Sequence, residues 1–212
     1  MALRDHSLDD KIAAAARQEF ESKGYTGASL RKIAEKAGVT VGAIQTRYRS
    51  KDALFTALLQ PLLKDIAALF QSTRADYYTG AEAGLPANLA ASMRHESAAI
   101  LTLIFSHYEE AVLLLCRSAG SSLEHFFDGL VQSKIDESTA FFRTVGGMEI
   151  EEKLLGLLIL TQFDGYRRVV AECPDRETAE KYMDALMTYH FGGWTALFRS
   201  ASQTQGGISD EV

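Results

Sequence analysis

The chain has 212 residues, 47% hydrophobic and 24% charged, enough apolar material for a buried core and too much for a disordered chain. Its net charge of −6 is unevenly divided, with +3 on residues 1–55 and −9 on the remainder. A basic head on an acidic body suits a protein that meets a polyanion with one end only.

Cys116 and Cys173 have neither metal nor redox spacing, so a reduced, cytoplasmic setting is expected. Arg4, Asp5, Asp9, Asp10 and Lys11 stand where a signal peptide needs an apolar run. Continuous apolar runs such as residues 157–160 are too short to cross a bilayer, so no membrane partner is expected.

Residues 1–6 read as a frayed tail. Ser7 and Asp10 form a capping box for a first helix, with Leu8, Ile12, Ala16 and Phe20 on one face and an end near Gly24. Ser29 is placed to cap a second helix, whose Leu30, Ile33, Ala34 and Ala37 share a face and which Gly38 stops. Thr40 caps a third, with Ile44 and Tyr48 inward and Val41, Gln45, Thr46 and Arg47 outward. Small Ala34 lets the two helices cross closely. The spacing predicts a helix-turn-helix whose second helix is the candidate major-groove reader.

A fourth helix opens at Ser50-Lys51 and runs through Leu54, Phe55, Leu58, Leu62, Ile66 and Phe70, with a kink expected at Pro61. Residues 77–86 read as a loop, from which Pro86 starts a fifth helix. A sixth spans about Glu109 to Ser118, before Gly120. Ser121 or Ser122 caps a seventh, ending at Gly146-Gly147. The eighth, about Glu151 to Ala171, is apolar on most sides, and Asp175 caps the ninth. In the ninth helix the Gly192-Gly193 pair is an interruption costing about 1 kcal/mol per Gly, which close helix approach or a simple distortion would explain. The expected fold is all-α with about nine helices: a three-helix domain at 1–50, a helical body at 51–200 and a disordered tail at 201–212.

Residues 20–51, FESKGYTGASLRKIAEKAGVTVGAIQTRYRSK, resemble the N-terminal domain of TetR-family transcriptional regulators. The matching features are Phe20, Gly24-Tyr25, Ser29, Ile33-Ala34, Ala37-Gly38-Val39, Gly42, Ile44 and Ser50-Lys51. The family usually has Tyr where Gln45 stands and Phe where Tyr48 stands, and often His or Tyr in place of Arg47. The resemblance implies a ligand-responsive repressor without cofactor, homodimeric through helices eight and nine. It also implies that Lys51 contacts a phosphate.

From the residues themselves, Arg31, Val41, Gly42, Gln45, Thr46 and Arg47 are the candidates for base edges. Arg and Gln can each form two parallel hydrogen bonds to one base. Ser29, Thr40, Tyr48 and Lys51 form the candidate phosphate set on double-stranded DNA. In the body, His95, His107, Tyr108, Phe127, Gln162 and Tyr166 mix polar tips with apolar surroundings, as the walls of an effector pocket do. His107 and Glu110 share a helical face, but two ligands make no metal site. The rival class is a helical enzyme or interaction module whose head does not read DNA; it needs a nucleophile–base pair or ligand cluster, and no such spacing occurs.

Overall fold

The computed structural model describes residues 6–79, 85–145, 150–173 and 175–206. Among them the chain forms nine helices and no strand. They are α1 (His6–Gly27), α2 (Leu30–Ala37), α3 (Val41–Tyr48), α4 (Lys51–Thr79), α5 (Leu85–Ser106), α6 (Tyr108–Cys116), α7 (Phe126–Val145), α8 (Glu152–Glu172) and α9 (Arg176–Gly206). Their contacts divide the chain into two compact units. One runs to Lys64 and includes His107–Phe127; the other comprises Asp65–Ser106 and the residues from Asp128 onward.

In the first unit, Ile12, Ala16 and Phe20 of α1 meet Ile33, Ile44, Leu54, Phe55 and Leu59, all with no exposed surface. Phe20 lies edge-on to Phe55 at 4.9 Å, and Tyr25 edge-on to Phe55 at 5.3 Å, a geometry in which ring edges meet ring faces. Helical geometry in α1 breaks at Gly24 (φ 66°), as the sequence predicts. The Tyr25 amide leaves the helix ladder there and donates to the Arg117 carbonyl at 2.8 Å.

The sequence places helix six in the body, but α6 packs on α1. Ala111, Leu113 and Leu114 are buried, and Arg17 of α1 pairs with Glu110 at 2.8 Å and Glu109 at 3.5 Å. The turns after α6 return to α1 and α4: Thr26 donates to the Ala119 carbonyl at 2.7 Å, and the Ser122 amide to Asp52 at 2.9 Å.

The second unit packs α9 against α5 and α8. Its core includes Ile66, Phe105, Val131, Leu155, Ile159, Tyr166, Val169, Val170, Ala179, Met183, Met187 and Trp194. The Arg176 guanidinium lies 5.5 Å from the centre of the Phe105 ring, and Lys134 pairs with Glu96. Asp175 caps α9 through the Thr178 amide at 2.8 Å, as its short polar side chain before a helix predicts.

Several boundaries differ from the sequence reading. Ser7 lies inside α1, because His6 is already helical. α4 runs through Pro61 as one helix and continues to Thr79, so residues 77–79 are helical; Gly80 and Gly84 lie outside the described residues. Ser121 caps a turn, its Oγ accepting the Leu123 amide at 3.1 Å, and α7 begins only at Phe126. α9 passes through Gly192-Gly193 without interruption and reaches Gly206, so residues 201–206 are helical; 207–212, like 1–5, Gly146-Gly147 and Pro174, are outside the described residues.

One continuous described helix, Lys51–Ser72, is long and apolar enough to cross a membrane, whereas the apolar runs in the sequence are each too short. Leu54, Phe55, Leu58, Leu59, Leu62 and Ile66 on it are buried in protein, as in the core helix of a globular domain.

Candidate nucleic-acid interface

The helix-turn-helix is set by local chemistry. Gly38 ends α2 at φ 68°, a left-handed geometry that costs a Cβ-bearing residue, and the Val39 amide returns to the Ala34 carbonyl at 2.9 Å. Thr40 is extended and its Oγ1 accepts the Ala43 amide at 3.1 Å, capping α3. Ile44 points into the core with no exposed surface. Ser29 occupies the position before α2, but its side chain caps nothing. Buried Glu19 instead receives the Ser29 backbone amide and the Lys36 ammonium, the latter at 2.9 Å. The Lys36 hydrogen bond is the main reason the Glu19 carboxyl titrates below the usual range.

The sequence-selected residues fall into two groups. Ser29, Arg31, Thr40, Gly42, Gln45 and Thr46 are exposed, and Val41, Arg47, Tyr48 and Lys51 are half-buried. Thr46 Oγ1 donates back to the Gly42 carbonyl at 2.9 Å. Arg47 does not point freely outward: its Nε donates to Asp9 of α1 at 2.8 Å. Lys51 donates to the carbonyls of Tyr25 (2.8 Å) and Ala28 (3.2 Å). Two of the three cations expected on DNA, Arg47 and Lys51, thus hold partners within the head. No spacing in the chain points to Asp9, Glu19 or Tyr25 as partners, because contacts between separate helices leave no such signal.

At the start of α4, Ser50 Oγ accepts the Ala53 amide at 3.0 Å. Asp52 accepts the Ser122 amide and the Tyr25 hydroxyl. The Ser122 amide does most to hold its carboxyl below the usual range. Burial, followed by the Asp52 charge, pushes the Tyr25 phenol up.

The six candidate effector residues lie in different units: His107, Tyr108 and Phe127 in the first, and His95, Gln162 and Tyr166 in the second. His95 is exposed. Gln162 and Tyr166 do come together. The Gln162 amide donates to the Tyr166 hydroxyl at 2.8 Å and accepts the Trp194 indole N–H at 3.0 Å. Tyr166 also lies edge-on to His190, with ring centres 6.2 Å apart, and burial lowers the His190 pKa. Glu110 is taken by Arg17, and no cluster of three or more metal-ligating side chains occurs among the described residues.

Residues 12–58 match the family model for bacterial regulatory proteins of the tetR family. The fold is similar to that of a TetR-like transcriptional regulator from a Rhodococcus species, with a TM-score of 0.59 at 18% identity, covering 91% of this chain and 100% of that one. The N-terminal segment thus carries the tetR-family match, and the whole fold is similar to that of a TetR-like regulator. Two further structures have a similar fold. One is FadR from Bacillus subtilis, solved with stearoyl-CoA (TM-score 0.56, 13% identity, 87% of this chain and 98% of that one). The other is the fatty acid degradation regulator FadR from Bacillus halodurans (0.55, 16%, 87% and 98%). The tetR-family segment takes in α2, α3, most of α1 and the first turns of α4.

Proposed function

We propose that the protein is a one-component repressor that binds a near-palindromic operator as a homodimer in the cytoplasm and responds to a small molecule. The observation that carries the DNA reading is the exposed row Thr40, Gly42, Gln45 and Thr46 on the capped helix α3. A short helix held from behind by Ile44 presents that row as a rigid unit to a major groove. Arg31 on α2 and Arg49 just after α3 are exposed cations that would meet flanking phosphates.

The dimer is proposed through α8 and α9. Leu154, Leu157 and Leu160 line one side of α8 and are 44%, 55% and 48% exposed. Tyr182 and Tyr189 lie seven residues apart on α9, also exposed. Apolar stripes of this length call for cover. A two-fold pair also supplies the two reading helices, roughly 34–36 Å apart, that successive major grooves require.

For the effector, the stearoyl-CoA bound to B. subtilis FadR shows that a protein of this fold takes up a small molecule. The proposed contacts here are Gln162 and Tyr166, which meet within the second unit. The deciding test is fluorescence anisotropy with a randomised duplex library over a salt series. Retained duplexes are expected to share an inverted repeat, and absence of any duplex binding at low salt sinks the proposal.

A further inference from the structure

Arg47 stands in the last turn of the reading helix, where a free guanidinium would reach a base edge or a phosphate. Here Nε donates to Asp9 Oδ1 at 2.8 Å, and Nη1 approaches the Ala43 carbonyl at 3.4 Å. The two side chains are only 21% and 15% exposed, so solvent screens the pair less than it would a surface pair. Asp9 lies in the first turn of α1, and the pair clips the end of α3 to the start of α1. To reach DNA, Arg47 would have to give up its charge-assisted hydrogen bond to Asp9. The neighbouring Gln45 is exposed and its amide has no partner among the described residues.

Resting on the DNA-binding reading above, we infer that Asp9 is a specificity-determining residue: its carboxylate withholds Arg47 from DNA, leaving α3 to read bases through Gln45 and Thr46. The phosphate attraction then comes from cations outside the pair, Arg31 and Arg49 among them.

The test compares wild type, Arg47→Gln, Asp9→Asn and the double variant on a random-sequence duplex across a salt series, with a selection from a randomised library for each. Arg47→Gln is expected to leave both the salt slope and the selected sequences unchanged. Asp9→Asn frees one cation, so its slope should steepen by about 0.9, an extra loss of about 3.5-fold between 50 and 200 mM salt. Its selected sequences should gain guanine at one position in each half-site. The double variant should return to the wild-type slope. A flatter slope in Arg47→Gln, an unchanged slope in Asp9→Asn, or a gain that persists in the double variant overturns the inference while leaving DNA binding intact. Wild type that binds no duplex overturns both. Melting curves check folding; if Arg47→Gln unfolds, the Asp9→Asn slope alone decides.

Discussion

The Lys51 ammonium lies 4.3 Å from the centre of the Tyr25 ring and donates to the Tyr25 carbonyl at 2.8 Å. With its second bond, to the Ala28 carbonyl, it satisfies two backbone acceptors where the chain leaves α1, a place where helices leave carbonyls unpaired. Lys51 is therefore an internal cap, whatever else it touches.

The first prediction follows from that cap. Lys51→Met keeps much of the apolar stem and removes the donor, and hydrogen bonds to charged groups contribute about 1.5–3 kcal/mol. Urea unfolding without DNA should show a loss in that range. A loss no larger than that of Arg31→Met, on the exposed face of α2, would return Lys51 to the surface role that the family resemblance implies.

The helix-turn-helix was legible because its signals are local. Gly38 and Thr40 act within four residues of themselves, and both do in the structure what their chemistry predicts. The apolar periods of α1 and α4 likewise name the core, since burial follows helical spacing. What stayed hidden depends on partners far away in the chain. Arg17 meets Glu110 across 93 residues and Arg47 meets Asp9 across 38, and nothing at either end announces the other. The same holds for α6, whose apolar run fits any core and whose place on α1 is fixed by Arg17 and by the turns at Ala119 and Ser122. Of the candidate pocket residues, Gln162 and Tyr166 meet one helical turn apart on α8, the kind of pair that spacing does reveal.

The second prediction concerns acid. Glu19, through the Lys36 hydrogen bond, and Asp52, through the Ser122 amide, both titrate below their ordinary values in the folded protein. A depressed carboxyl pKa stabilises the fold above the unfolded value, and that contribution is lost as pH falls through the folded one. Thermal stability should therefore drop from about pH 5 downward. Glu19→Gln and Asp52→Asn should each be less stable at neutral pH and show a shallower decline. Parallel acid limbs in wild type and both variants would mean that neither carboxyl takes part.

A third prediction separates two left-handed glycines. A Cβ at Gly38 would meet nothing within 4 Å, so Gly38→Ala bears only the backbone strain, about 1–2 kcal/mol. At Gly120 (φ 85°) the Cβ would sit 2.6 Å from Thr26 Oγ1, the hydroxyl that donates to Ala119. Gly120→Ala must bear similar strain and also displace that hydroxyl, adding about 0.5–1.5 kcal/mol. Urea unfolding should rank it as the more damaging change. In a Thr26→Ala background the difference should shrink; if it does not, the contact with Thr26 is not the cause.

The last prediction tests the proposed dimer from both of its helices. On α8, burying a leucine is worth about 1.5–3 kcal/mol, and a two-fold interface counts each substitution twice. Leu157→Glu combined with Leu160→Glu should therefore weaken association by more than a hundredfold and yield a monomer at micromolar concentration by light scattering. On α9, a Cβ at Gly192 or Gly193 would meet nothing within 4 Å in the same chain. Nothing among the described residues of the protomer thus requires the pair, and alanine there should stabilise an isolated helix by about 1 kcal/mol per site. If a second copy of α9 crosses at those glycines, larger side chains must push the copies apart. Gly192→Leu with Gly193→Leu is then expected to weaken the dimer at least tenfold while leaving each chain's helix content unchanged. A dimer that survives the leucine pair but not the glutamates would place the contact on α8 and take the glycines out of it. One that survives all four changes would remove both helices from the interface.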